Sequence, residues 1–171
     1  MNWEAIGAIS AILSAIAVIA TLGYVAVQIR QNTSALRSAA TQGAYDQHAS
    51  MYDVLSTDPK LADIFVRGLE APDTLDRIET GRFYSFLLSV MVRTQNWELQ
   101  TRSRALDKEV LESTSRILRQ ISGMPGFQRF WEDRRHMFTQ GLATYLEQEV
   151  FLTERDPTYH PLGVRGGDQG E

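Results

Sequence analysis

Residues 5–29 read AIGAISAILSAIAVIATLGYVAVQI, a run with no Asp, Glu, Lys or Arg between Glu4 and Arg30. Wound as an α-helix at about 1.5 Å per residue, it is about 37 Å long, enough to cross a hydrocarbon core of about 30 Å with some tilt. A cleaved signal peptide would need a basic start and an apolar region of about 7–15 residues. This chain starts Met1-Asn2-Trp3-Glu4 and stays apolar for longer. A core helix of a soluble protein, apolar over such a length, would need a much larger protein around it. The sequence therefore predicts one N-terminal transmembrane helix over residues 1–30.

The cations set its direction. None precedes the run, while Arg30 and Arg37 follow it, so the positive-inside rule puts the short N-terminus outside and everything after the span in the cytoplasm. Trp3 and Tyr24 lie near the two ends, where amphipathic rings favour the interface.

Within the run, Gly7, Ser10, Ser14, Ala17 and Thr21 recur at alternating spacings of three and four, continuing through Tyr24, Gln28 and Gln31 to Tyr45. Ile9, Leu13, Ile16, Ile19 and Val27 fall mostly elsewhere. Between helices in lipid there is no hydrophobic drive, so association draws on close backbone approach at small residues and on interhelical hydrogen bonds. The spacing predicts a left-handed seam through which the span associates with itself or with helices of a larger membrane complex. Two alternatives stand beside it. A helix this rich in Ala and Ser shows a small-residue stripe by chance, and a row of Ser, Thr and Gln is also what a narrow polar pore in a homo-oligomer would present. No ring of charged side chains falls in the span to select an ion.

At 171 residues there is room for the span and one domain of roughly 120 residues, large enough to bury its own core. The net charge of −4 is spread over interspersed signs, which offers no basic field for nucleic acid. The chain has no cysteine, so disulfides, thiolate catalysis and thiolate metal sites are excluded, in keeping with a reducing compartment. Fifteen arginines against two lysines point to a GC-rich genome.

The opening Met1-Asn2-Trp3-Glu4-Ala5-Ile6-Gly7, with Ile19-Ala20-Thr21-Leu22 and Ala26-Val27-Gln28-Ile29-Arg30-Gln31-Asn32-Thr33, resembles a group of small, uncharacterised bacterial single-span membrane proteins. Weaker similarity follows at Asp58-Pro59, Arg67-Gly68-Leu69, Trp97-Glu98 and from Pro125-Gly126 to Trp131. The resemblance implies a one-span protein of the bacterial inner (plasma) membrane with a helical domain, and it implies no activity. Members of the group often carry an acidic residue near the position of Ala11; here there is none, so no charge-dependent role of the span carries over.

Beyond the span the expected fold is all-α. Helix signals run on through residues 31–56 as a juxtamembrane extension of the same rod, broken by Thr57-Asp58-Pro59. A cytoplasmic helical bundle is expected over residues 57–152. It has a short helix from Pro59 to about Leu69 and a central helix capped at Asp73 or Thr74, with Ile78, Phe83, Phe86, Leu87, Val90, Met91 and Trp97 inward. A further helix begins near Leu106-Asp107, and the last is expected to run unbroken from about Phe127 to Phe151. Residues 153–171, rich in Pro, Gly and charge, read as a flexible tail.

Motifs for chemistry are sparse. His48, His136 and His160 have no second His at ligand spacing, and Asp46, His48 and Asp53 do not share one helix face, so no metal and no cofactor are expected. No G-x-S-x-G and no phosphate-cradling Gly loop occur. Arg93 sits in the apolar run of the central helix, where a buried guanidinium needs a partner such as Glu98, Glu132 or Asp133. The functional alternative is a ligand pocket walled by Arg93, Trp97, Trp131 and His136. The expected function is a membrane-anchored, non-enzymatic interaction or accessory protein; a membrane-tethered ligand-sensing or enzymatic domain and a small homo-oligomeric pore are the alternatives.

Overall fold

The computed structural model describes residues 3–152, so the expected tail and His160 lie outside the described residues. Every element among the described residues is helical. The chain divides between Ala40 and Thr41 into two compact units.

The first unit is the greater part of α1, which runs Trp3–Thr57. Proline is absent from it and its polar groups between Glu4 and Arg30 are uncharged, so nothing interrupts the backbone hydrogen-bond ladder. Its apolar side chains find no cover within the unit: Ile12, Leu13, Ile16, Ile19 and Leu22 are 57–69% exposed. This is the one helix among the described residues long and apolar enough to cross a membrane, and no part of its most apolar window is buried.

The second unit takes in the end of α1, where Ala44 is buried and Met51 and Leu55 pack against the core. Asp58 then caps α2 (Pro59–Glu70): its carboxylate accepts the Leu61 N–H at 3.0 Å, and Pro59 takes a first-turn position that needs no donor. Leu61, Ile64, Phe65 and Leu69 form its buried face, the i, i+3, i+4 stripe of an amphipathic helix.

The cap of the central helix, α3 (Arg77–Arg102), is Asp76 rather than Asp73 or Thr74. Pro72–Thr74 are taken up in a 3-10 turn. Asp76 accepts the N–H groups of Ile78 and Glu79 at 2.7 and 2.8 Å, and the Glu79 carboxylate returns to the Asp76 N–H at 3.2 Å, a reciprocal capping box. Arg67 Nη2 reaches Glu79 at 3.0 Å and ties the end of α2 to this cap. Ile78, expected inward, is 71% exposed because it lies in the first turn, ahead of the core-facing stretch that begins at Phe83. Phe83, Leu87, Val90, Met91 and Trp97 are buried as the periodicity predicts.

Arg104, at φ 61°, turns the chain out of α3 into α4 (Lys108–Ile121). Val110, Leu111, Leu118 and Ile121 are the buried face of α4. α5 (Pro125–Arg134) follows, and it crosses α2 with backbone against backbone. A Cβ on Gly126 would fall on the Gly68 carbonyl, and one on Gly68 would come within 2.5 Å of the Phe83 ring.

The expected last helix is not continuous. After α5 come a 3-10 turn over Arg135–Met137, an extended Phe138, α6 (Gln140–Tyr145) and a π-helical turn over Leu146–Val150. The break is held by side chains that apolar periodicity does not reveal. Thr139 caps Leu142 at 3.3 Å and its own N–H goes to Gln95 Oε1 at 2.8 Å. Arg135 is clamped to Glu147 by bonds of 2.5 and 3.0 Å, so the chain after the break folds back along α5. The shared core runs through Ile64, Phe83, Leu87, Met91, Leu118, Phe127, Phe130, Leu142 and Leu146.

Candidate functional site

Gly7, Ser10, Ser14, Ala17 and Thr21 are all exposed on α1. The Thr21 hydroxyl donates to the Ala17 carbonyl at 2.8 Å. Its proton is therefore spent inside its own helix, leaving its lone pairs for a neighbour.

The four residues considered for a ligand pocket fall into two neighbourhoods. Trp97 is fully buried and stacks on His48, with ring centroids 5.8 Å apart and planes 8° from parallel. Arg93 donates to the Gln47 carbonyl at 3.1 Å, while the nearest of its expected partners, Glu98, meets Arg102 instead at 3.4 Å. The Gln47 backbone carbonyl on α1 thus takes the place of an acidic partner. Trp131 stacks on Phe138 at 5.6 Å and its indole N–H donates to Glu147 at 3.2 Å. His136 is exposed in the 3-10 turn beyond. Neither of the domain's two large grooves is lined by any of the four.

The sequence gives His48 no metal partner at ligand spacing, and in the structure it is partly buried among aromatic rings. Its Nδ1 lies 3.2 Å from the Thr114 hydroxyl, and the Tyr52 and Trp97 ring centres are 5.6 and 5.8 Å from its own. Burial against these rings holds its pKa below the ordinary 6.5, because the charged imidazolium loses more hydration than the neutral ring.

One groove, of about 650 Å³, lies where the Pro72–Thr74 turn, α3 and α5 meet. Several of its polar groups pair with one another. Arg129 pairs with Asp73 at 2.6 Å, the Tyr84 hydroxyl donates to Asp133 at 2.7 Å, and the Arg134 guanidinium sits 5.3 Å from the Tyr84 ring centre. Burial and the adjacent Asp133 carboxylate push the Tyr84 phenol up to about 12, so it stays a hydrogen-bond donor at neutral pH.

The other groove, of about 680 Å³, lies between the end of α3, one face of α4 and the Tyr145–Glu149 stretch. Lys108, Leu111, Glu112, Ser115, Arg116 and Arg119 line it from α4, a spacing of three and four that marks a single helix face. That periodicity is legible in the sequence, but a mixed-charge face is the ordinary look of a solvated helix. What distinguishes this one is Glu98, opposite it on α3 and only 5% exposed. No group of His, Asp and Glu among the described residues is arranged to hold a metal ion.

No protein-family model matches the chain, and neither a curated protein nor a solved structure matches it.

Proposed function

We infer that α1 anchors this protein in a membrane as a single span and that the helical domain is its cytoplasmic, non-enzymatic working part. The observation that carries this reading is the uncovered apolar surface of α1 before Arg30, whose most apolar window has no buried residue among the described residues. A core helix of this composition would be covered by its own protein, because each exposed Leu or Ile side chain forgoes roughly 1.5–3 kcal/mol of burial. A bilayer supplies that burial instead, and an α-helix satisfies its own backbone there. Arg30 and Arg37 after the apolar run favour a cytoplasmic domain. Gly7, Ser10, Ser14, Ala17 and Thr21 form the face proposed to associate with a second copy or with helices of a larger complex, on the strength of their spacing.

Because the chain has no cysteine, single-cysteine variants test the topology without background. In right-side-out vesicles, Asn2→Cys is expected to react with a membrane-impermeant maleimide, and Glu109→Cys to react only after the vesicles are opened. Extraction of the unlabelled chain by alkaline carbonate would overturn the anchor; reversed labelling would overturn the orientation alone. Loss of a defined native mass in the Ser10→Ile, Ser14→Ile double variant is the expected sign of association through the seam.

A further inference from the structure

The buried polar atoms that the domain leaves unbonded converge on one place. Among the described residues these side-chain atoms are Glu98 Oε2, Thr101 Oγ1 and Arg119 Nε. All three residues line the groove of about 680 Å³ between α3 and α4. Glu98 and Thr101 are one turn apart on α3, and Arg119 comes from α4. A buried carboxylate oxygen without a partner gives up its hydration for nothing in return, and native proteins satisfy such groups in the great majority of cases. A single exception is common in any domain; a charged acceptor, a hydroxyl and a charged donor, buried just beneath the surface of one groove on three residues that line it, call for a ligand that meets all three as those side chains turn towards it.

The geometry points to a binding site for a small zwitterion, with an ammonium or guanidinium group on Glu98 and a carboxylate on Arg119. Glu98 Oε2 accepts, Arg119 Nε donates, and the Thr101 hydroxyl does either. The other Glu98 oxygen meets Arg102 at 3.4 Å, and the Arg102 side chain is 66% exposed, so the carboxylate is not neutralised by a close buried cation. The rim carries both signs, Lys108 and Arg116 against Glu112 and Glu149, which suits a ligand of no net charge better than a polyanion or a polycation. One wall is closed by the Ser115 and Tyr145 hydroxyls, bonded to each other at 2.7 Å. Gly141 passes close to the carboxylate: a Cβ there would lie 2.7 Å from Arg102 Nη1 and 3.6 and 3.7 Å from the two Glu98 oxygens. The volume falls within the roughly 300–1,000 Å³ of small-molecule sites. This assignment goes beyond membrane anchoring and stands independently of it.

Thermal unfolding of the full-length chain, followed by near-ultraviolet circular dichroism with glycine, 4-aminobutyrate and guanidinoacetate as probes, tests it. At least one probe is expected to raise Tm saturably, with an apparent affinity about tenfold or more weaker in Glu98→Gln and in Arg119→Met. Methylamine and acetate, each half of a zwitterion, are expected to bind more weakly than the best probe. Gly141→Ala serves if either polar variant fails to fold. Its added methyl would displace Arg102 Nη1, 2.7 Å away on a flexible side chain that is 66% exposed, and would stand in van der Waals contact with both Glu98 oxygens, so it is expected to keep the spectrum and lose the shift. No saturable shift by any probe at about 10 mM, or a shift undiminished in the folded variants, would overturn the proposal and leave internal water as the partner of these atoms.

Discussion

Ile16 and Phe130 are both large apolar side chains on helices, yet Ile16 is 57% exposed and Phe130 is completely covered. The difference is in the helices that carry them. α5 has a polar face and an apolar one, and only the second is turned to the core through Phe127, Phe130 and Trp131. α1 carries no charge on any face between Glu4 and Arg30, and its large apolar side chains there are exposed, so the proposed reading has a bilayer supply their burial. A domain supplies its own apolar environment by matching faces, whereas a helix without a charged face has no side to turn to water.

The largest expected effect on this contrast is Phe130→Ala, which should cost the domain about 3–5 kcal/mol, measured by chemical denaturation. Ile16→Ala should leave the same denaturation midpoint unmoved, and a common response to both would erase the distinction. Next is Ile16→Arg, expected to oppose membrane insertion by about 2.5–3.5 kcal/mol. It should move the chain towards the soluble fraction on membrane sedimentation without altering the domain's denaturation; a chain still fully sedimenting with membranes would weaken the anchor reading.

Gly126→Ala, which drives a methyl into the Gly68 carbonyl, is expected to destabilise the domain by roughly 2–4 kcal/mol. The bland outcome, under about 0.5 kcal/mol, would mean that α2 and α5 separate at little cost.

The smallest effect concerns His48, whose folded pKa lies below its ordinary 6.5. Between those two values the unfolded chain binds more protons than the folded one. Stability is therefore full above pH 6.5 and declines as pH falls towards the folded pKa. The carboxylates of Asp58, Asp76 and Glu79, held low by backbone N–H groups and by arginine, add a second loss in the acid range. Their stabilisation is present above the ordinary values of 3.8 and 4.5 and disappears as pH drops through the depressed ones. His48→Gln should remove the first decline and keep the second, as read from Tm against pH.

The helices were legible where caps and periodicity speak together. Asp58-Pro59 marks the start of α2 and Asp107 that of α4, each next to an apolar stripe. The start of α3 was misplaced because Pro72-Asp73-Thr74 has the look of a cap, although the D-x-x-E pattern of Asp76 and Glu79 stands in the sequence three residues on. The break at Phe138-Thr139 was hidden, because the apolar residues on both sides keep a helical period and the groups that hold it, Gln95 and the Arg135–Glu147 pair, act across the fold. The candidate groove was hidden for the same reason: Glu98 reads as one more polar residue until α4 is laid against it.

Local period and the placing of charge along the chain are enough to reveal the helices, the place of the apolar run, and the faces of α2, α3 and α4 that turn inward. That Arg93 bonds to a carbonyl of α1, that Gly68 and Gly126 let two backbones touch, and that the residues carrying three unbonded polar atoms line one groove came to light only in the fold. Those facts depend on distances between residues far apart in the chain, and such distances are set by packing rather than by propensity.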